Sequence, residues 1–459
     1  MIIPRLVLAD ERREGKVPQS ILLASVLKSL GHPLRLFCAG ADEHFIRFLK
    51  LVTKEEVTLL DPWSCGSVRN FKLLFQQAAR PEALNLVFTS AGRRRDDDVF
   101  LVNPLVEEIC RLLECPLISL IYADSSAAVT SRILEGIVSR VASQGGVPVS
   151  AALFASVLNP REYQLLEIEV GRRMSLVCLG YIPRTLEKNS PPLLELCLEE
   201  MAERASFPVH AASAQMVGMT DQVEWNILWG LAKQSKEWSP VLEPFRGKAA
   251  GLTVGILSHP ALDLEGDNAV QLFSHFGCSI RRIPLDGTVL QRDVNALYIP
   301  NGPGFLCAER LLGKNGVREW FNTMFLSRKA VLVNGGVAPL LGESFSLPNK
   351  KQYEGMKLFR FRGEFHMPSA EFRKVEAVSS EGDIMLNPGE RLRGYTPSYA
   401  SVLDPGGLSR PLWAVRDIVK GVDAGSSGWV RGSSLVTELS VELWSNIEGT
   451  YRWLMMRKQ

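Results

Sequence analysis

The sequence predicts an α/β protein of two domains, each built on a parallel sheet, and three observations carry this. Strand-like and helix-like segments alternate through the first half of the chain, as in sheets with helices on both faces. The alternation stops at residues 236–251, a stretch with two Pro, two Gly, mixed charge and no periodicity, and then restarts. At 459 residues the chain exceeds what one hydrophobic core holds. The expected domains are 1–238 and 252–459, joined by a linker at 239–251.

Taken in order, residues 5–9 form an apolar run that ends in a polar loop containing Gly15-Lys16. A helical pattern with Ile21, Leu22, Ala24, Leu27 and Leu30 follows and stops at Gly31. Strands are expected at 34–38, 84–89, 117–123, 149–158 and 176–182, with helices at 68–79, 105–113, 126–142 and 160–173 between them. Two further helices are expected at 191–205 and 221–233; Trp225 and Trp229, four residues apart on the second, read as a packing pair. After the linker come strands at 252–257, 279–284, 296–299 and 330–333 and helices at 268–276 and 317–325, a flavodoxin-like pattern. A last helix is expected at 446–456.

Composition narrows the function classes. Apolar residues make up 46% and charged residues 22%, the balance of an ordinary globular protein. Lys and Arg (52) nearly cancel Asp and Glu (50), so global charge gives no reason to expect a nucleic-acid partner. No run approaches the roughly 18 apolar residues of a membrane span, so no membrane association is expected. The N-terminus lacks a basic segment leading into an apolar one, and a cytoplasmic protein is expected. Eight Cys are scattered without a CxxC pair or a Cys/His cluster, which reads as reduced thiols and no metal site.

The opening strand, loop and helix form the context of a phosphate-binding P-loop. Such a loop needs a first Gly for its turn, N–H groups around the phosphates, a Lys, and a hydroxyl for Mg²⁺. Here Asp10 stands at the first Gly position, and Glu11 and Glu14 add carboxylates to the loop. Each repels a polyphosphate by roughly a kilocalorie per mole or more at close range. Val17 takes the place of the hydroxyl and Pro18 removes an N–H donor. Gly15 and Lys16 remain as nucleotide-binding candidates, in either a divergent ATP site or a retained structural turn.

Later motifs give the order a specific character. They are Leu60-Asp61-Pro62-Trp63, Val157-Leu158-Asn159, Leu179-Gly180-Tyr181-Ile182-Pro183-Arg184 and Asp267-Asn268, then Leu297-Tyr298-Ile299-Pro300-Asn301-Gly302-Pro303-Gly304, Asn334-Gly335-Gly336 and Arg391-Leu392-Arg393-Gly394-Tyr395. In this order and spacing the chain resembles the cobyrinic acid a,c-diamide synthases over almost its full length. The resemblance implies a P-loop, dethiobiotin-synthetase-like first domain and a class I glutamine amidotransferase-like second domain. It also implies ATP with Mg²⁺ as cofactors, glutamine as the nitrogen source, and a corrin-type tetrapyrrole of cobalamin biosynthesis as substrate.

Against that family pattern several positions differ. Ser90 stands where the family has Glu, and Arg93-Arg94-Arg95 follow at the strand end as candidates for holding an anion. His44, beside Asp42 and Glu43, is a second ligand candidate in the loop after the second strand. The elbow that should carry a Cys nucleophile has Asn334, and the paired His of the last strand align with Ser440 and Glu442. No Cys follows Cys307 and no His follows His366, so a shifted alignment does not restore the pair. The expected function is therefore that of a catalytically degenerate homologue with no intact catalytic residue. It would bind a tetrapyrrole-type ligand in the cleft between its domains or serve as the partner of an active paralogue, in a hetero- or homo-oligomer. The alternative is an ATP-dependent amide ligase acting on tetrapyrrole carboxylates with ammonia supplied from elsewhere. A third reading is a regulator that takes an anionic ligand on Arg93–Arg95.

Overall fold

The computed structural model describes residues 2–94, 100–143, 148–184, 189–219, 222–285, 293–313, 316–327, 329–368, 373–397, 399–404 and 407–456. The chain opens with β1 (Arg5–Glu11), all seven residues of which are buried. It continues through α1 (Gln19–Ser29), β2 (Leu34–Ala39), α2 (Glu43–Thr53), β3 (Val57–Leu60), α3 (Val68–Ala78), β4 (Leu84–Arg94), β5 (Phe100–Val102) and α4 (Pro104–Leu113). β6 (Leu117–Tyr122), α5 (Ala127–Ser143), β7 (Val149–Val157), α6 (Pro160–Arg173) and β8 (Val177–Pro183) complete the first sheet. Its order is β3-β2-β4-β1-β6-β7-β8, parallel throughout, with β5 added antiparallel to β4. β1 lies in the middle, paired on one side with β4 and on the other with β6, so the loop after it emerges at the centre of the sheet's C-terminal edge. That edge is where open α/β sheets hold their ligands.

The helices begin where the sequence supplies caps. Asn159 accepts from the Glu162 N–H at 3.1 Å, Pro160 takes the first helical position, and Arg172 and Arg173 lie in the last turn of α6, where a positive charge suits the helix dipole. Asn103 and Pro104 start α4 in the same way. Arg5, though charged, is buried in β1 because its guanidinium donates to the Leu113 carbonyl at the end of α4, at 2.6 Å, and to the Ile3 carbonyl at 2.9 Å.

The second sheet contains β9 (Thr253–Ser258), β10 (Ser279–Pro284), β11 (Ala296–Ile299) and β12 (Ala330–Asn334), then Ser434–Thr437 and Trp429–Arg431. The order is β10-β9-β11-β12, then Ser434–Thr437 and Trp429–Arg431, with only the last strand antiparallel. Numbered within this sheet, the five parallel strands run 2-1-3-4-5, the flavodoxin-like order. Two further sheets, of four and five strands, are built mainly from antiparallel pairs between Ser344 and Glu442. The fold is therefore α/β with two parallel sheets.

The chain divides into one unit of Met1–Leu60, Ala78–Leu196 and Glu200–Val241, and another of Asp61–Gln77, Cys197–Glu199 and Leu242–Gln459. The turn at Asp61 and most of α3, which the sequence reading puts in the first domain, thus pack with the second unit. Asp61 is held there by the Tyr395 hydroxyl, and Asn70 donates to the Trp444 carbonyl at 2.8 Å. Among the described residues no helix is long and apolar enough to cross a membrane.

Candidate functional site

In the first unit, β1 delivers Asp10 and Glu11 to the sheet edge as buried side chains, 1% and 3% exposed. A buried carboxylate needs a partner, and both find one. Asp10 accepts from the Ser20 hydroxyl and from Arg12 Nε at 3.1 Å. Arg12 also pairs with Asp42, and its guanidinium lies 4.0 Å from the centre of the Phe45 ring. Glu11 accepts from the Tyr122 N–H at 3.0 Å and pairs with Arg13 at 3.1 Å and Arg94 at 3.5 Å. Arg13 reaches on to Asp124, whose carboxyl it holds below the usual range by hydrogen bonding. The guanidiniums of Arg12, Arg13 and Arg94 are thus matched by the carboxylates of Asp10, Glu11, Asp42 and Asp124.

Gly15 has φ +69°, and its carbonyl accepts from the Ser190 N–H at 2.7 Å. Lys16 forms a backbone bridge with Asn189, while Val17 is buried in the apolar core. Pro18 precedes α1 in an extended conformation and provides no side-chain cap. Beside this loop lies a cavity of about 210 Å³. Arg13, Lys16 and Gln19 line it from the loop, Tyr122 and Asp124 from the end of β6, and Ser156, Pro183 and Arg184 from the ends of β7 and β8.

The predicted ligand candidates divide. Arg94 joins the charge cluster and donates to Ser125 Oγ at 3.1 Å. Arg93 is exposed, paired with Leu101 in the β4–β5 ladder, and Arg95 lies outside the described residues. His44 contacts the Pro191 carbonyl at 2.7 Å and Ser190 Oγ at 3.3 Å. Asp42, expected beside it, instead caps α2 through the Phe45 N–H and pairs with Arg12.

The second unit places Asn334 at the end of β12, before Gly335 at φ +90°. Its Nδ2 donates to Glu265 at 2.9 Å, to the Tyr298 hydroxyl at 2.8 Å and to the Val441 carbonyl at 3.1 Å. Its Oδ1 accepts from the Val441 N–H at 2.8 Å. Glu265 also accepts from the Tyr298 hydroxyl and from the Asn301 N–H, and burial pushes its carboxyl up to about 8 against these donors. Asn301 Oδ1 accepts from the Gly336 N–H at 3.1 Å and the Tyr399 hydroxyl at 2.8 Å.

Three loops close over this network. A Cβ on Gly302 would stand 1.7 Å from the Ala261 carbonyl oxygen, one on Gly336 1.9 Å from the Gly302 oxygen, and one on Gly304 2.2 Å from the Gly336 oxygen. Glu442 is buried and pushed up to about 7 by burial; it accepts from Asn268 Nδ2 at 2.6 Å and from the Trp444 N–H at 3.1 Å. Ser440 is half-buried and pairs with Tyr395 in the five-stranded sheet. Asn334 therefore meets the strand Ser440–Glu442 through the Val441 backbone, with its amide and the Glu442 carboxyl both engaged in hydrogen bonds. An amide supplies no nucleophile.

The residues that sequence reading misses are Arg12, Arg13, Asp124, Ser156 and Arg184 in the first unit and Glu265, Tyr298 and Asn301 in the second. Arg184, Tyr298 and Asn301 lie inside the motifs named above, and position in those motifs is the only signal available for them. Glu265 carries none: it meets Asn334 across 69 residues of chain. Among the described residues no group of three or more His, Cys, Asp or Glu is arranged to hold a metal ion.

Comparison with known proteins finds distant relatives of one name. The chain is 20% identical over 442 residues to a cobyrinate a,c-diamide synthase of Caldanaerobacter subterraneus subsp. tengcongensis, covering 96% of this chain and 95% of that one. It is 21% identical over 432 residues to a cobyrinate a,c-diamide synthase of Limosilactobacillus reuteri, covering 92% of each. Among solved structures it is similar to PurLQS from Thermotoga maritima, at 12% identity and TM-score 0.32 over 45% of this chain and 97% of that one. It is also similar to FlhF complexed with GTP/Mg(2+), at 14% identity and TM-score 0.27 over 47% of this chain and 74% of that one. No family model matches. The chain is a distant relative of the cobyrinate a,c-diamide synthases, and so is related to a family of amide ligases.

Proposed function

We propose that the chain is a catalytically silent homologue of these amide ligases that keeps their scaffold for binding. The observation that carries this reading is Asn334: the position of the thiol nucleophile is occupied by an amide whose polar atoms are bound to Glu265, Tyr298 and Val441. Glutamine hydrolysis needs a thiolate and a base to take its proton, and the strand Ser440–Glu442 offers a hydroxyl and a buried carboxyl in place of an imidazole.

The opening loop supports the same reading. A magnesium nucleotide is a poor match for it, because the loop carries Asp10 and Glu11, buried carboxylates held by Arg12 and Arg13, and Val17 turns an apolar side chain into the core. The arginines nearby are already engaged by carboxylates of the same loop and its neighbours. Because the relatives are named for cobyrinate, a corrin-type tetrapyrrole is the ligand class to test first, and an active paralogue is the first protein partner to test. Eight free cysteines suit work in the cytoplasm.

The test is ammonia release from glutamine by the purified full chain, with and without ATP and Mg²⁺. No release above the enzyme-free rate is expected, and turnover under either condition overturns the proposal. A parallel titration with cobyrinate, followed by its visible absorbance, is expected to saturate; a spectrum that stays unchanged removes the tetrapyrrole.

A further inference from the structure

We infer that the second unit holds a site for a free amino acid with an aromatic or large apolar side chain, in a cavity separate from the network around Asn334. The cavity is about 620 Å³, within the ~300–1,000 Å³ of pockets that enclose small molecules. All of its lining residues belong to Leu242–Gln459. Among the described residues, neither Asn334 nor its partners Glu265, Tyr298 and Val441 contribute to the lining.

Aromatic rings make the wall. Phe345 and Tyr353 face each other across the antiparallel pair Ser344–Ser346 and Gln352–Glu354. Their rings stack at 5.7 Å, and Phe345 meets Phe365 edge-on at 5.8 Å. Phe365 in turn meets Phe305 at 5.5 Å, so four rings form one continuous surface. Phe345 and Phe365 are buried, which fixes this surface, while Tyr353 is 45% exposed at its outer end. A flat apolar side chain laid on such a wall gains ring contacts beyond the area it buries.

Charge at the rim selects the rest of the ligand. Glu309 lies in the helix Ala308–Leu312, and Arg318 is the second residue of the helix Val317–Leu326. Both line the cavity, yet among the described residues neither side chain forms an ion pair or a hydrogen bond. The third charge of the lining, Glu354, pairs with Lys357. Its carboxyl lies below the usual range mainly through Lys357, with a smaller effect from Arg318. An open carboxylate and an open guanidinium on one rim match an ammonium and a carboxylate on one ligand. A monoanion would meet two lining carboxylates against one guanidinium, and a monocation would leave Arg318 without a counter-charge. The zwitterion suits both. This site goes beyond the proposed function and does not depend on it, since it needs neither glutamine hydrolysis nor a bound tetrapyrrole.

Calorimetric titration of the full chain with L-phenylalanine, phenethylamine, 3-phenylpropionate and L-glutamine tests it. L-Phenylalanine is expected to saturate. Phenethylamine, which lacks the carboxylate, should bind about tenfold more weakly, the worth of one charge-assisted hydrogen bond. 3-Phenylpropionate, which lacks the ammonium, should lose about threefold, because Glu309 is exposed and its pair is screened. L-Glutamine carries both charges without the apolar body and should bind more weakly than phenylalanine. Arg318→Gln should weaken phenylalanine about tenfold and leave phenethylamine unchanged, a split that general damage to the fold does not produce. Tyr353→Ala, at a half-exposed ring, should weaken every aromatic probe in a chain that melts near the wild type. Four results overturn the site: no saturation by L-phenylalanine, phenethylamine binding as tightly as phenylalanine, L-glutamine binding at least as tightly as phenylalanine, or Arg318→Gln weakening both probes alike or neither.

Discussion

Asn334 donates to three acceptors and accepts from one N–H, so replacing it strips partners from both β12 and the strand Ser440–Glu442. Asn334→Cys restores the letter a glutaminase needs but not its surroundings. A thiol is a weak donor and a weak acceptor, and it would leave Glu265, Tyr298 and the Val441 backbone short of bonds in a buried place. Loss of about 2–4 kcal/mol of stability is expected, read as a lower urea midpoint at unchanged slope, with ammonia release still absent. Ammonia release by this single variant would show that another side chain serves as base. That an amide stands at position 334 was legible in the sequence, because residue type is read directly. Its partners were not, because Glu265 and Tyr298 reach Asn334 only through the pairing of β11 with β12 and the loops above them.

At the scale of elements, the parallel strands were legible because buried parallel strands read as short apolar runs separated by helical periods. The fifth parallel strand of the second sheet, Ser434–Thr437, was not among those read, since it is only four residues long. The antiparallel sheets between Ser344 and Glu442 were less legible, since their strands are three to seven residues long and mix exposed with buried positions. Four-residue β3 is too short to announce itself. Glycines separate the two kinds of turn that the motifs contain. Gly15 has φ +69° and open space around a hypothetical Cβ, so Gly15→Ala meets only backbone strain of about 1–2 kcal/mol. A Cβ on Gly302 would lie 1.7 Å from the Ala261 carbonyl oxygen, so a methyl there must push one loop off another. Gly302→Ala is therefore expected to lower stability at least twice as much as Gly15→Ala, measured by urea unfolding of both variants. Equal losses would mean that the loops over Asn334 yield easily.

For the whole molecule, near-neutral charge hides an uneven set of buried acids. Burial raises Glu265 to about 8 and Glu438 and Glu442 to about 7, far above the roughly 4.3 of an unfolded glutamate. Between about pH 4.5 and 8 the folded chain keeps protons that the unfolded chain releases, so stability is full at the acid end of this window and falls as pH rises. Lowered groups act in the other direction: Asp124 withdraws support only as pH drops through the acid range, and His32 and His210 withdraw it below their ordinary value. Within this window the three raised glutamates are opposed only by the two histidines, and the unfolding free energy is expected to drop by on the order of a few kcal/mol from pH 5.5 to 8.5. Glu265→Gln reproduces the neutral carboxyl: its carbonyl can accept from the Asn301 N–H and Asn334 Nδ2, and its amide can donate to the Tyr298 oxygen. The variant should therefore fold, and its urea midpoint should change less across the same pH series than that of the wild type. Parallel pH profiles for the two chains would show that Glu265 is ionised in the folded state and that the polar cluster around Asn334 is built on a buried anion.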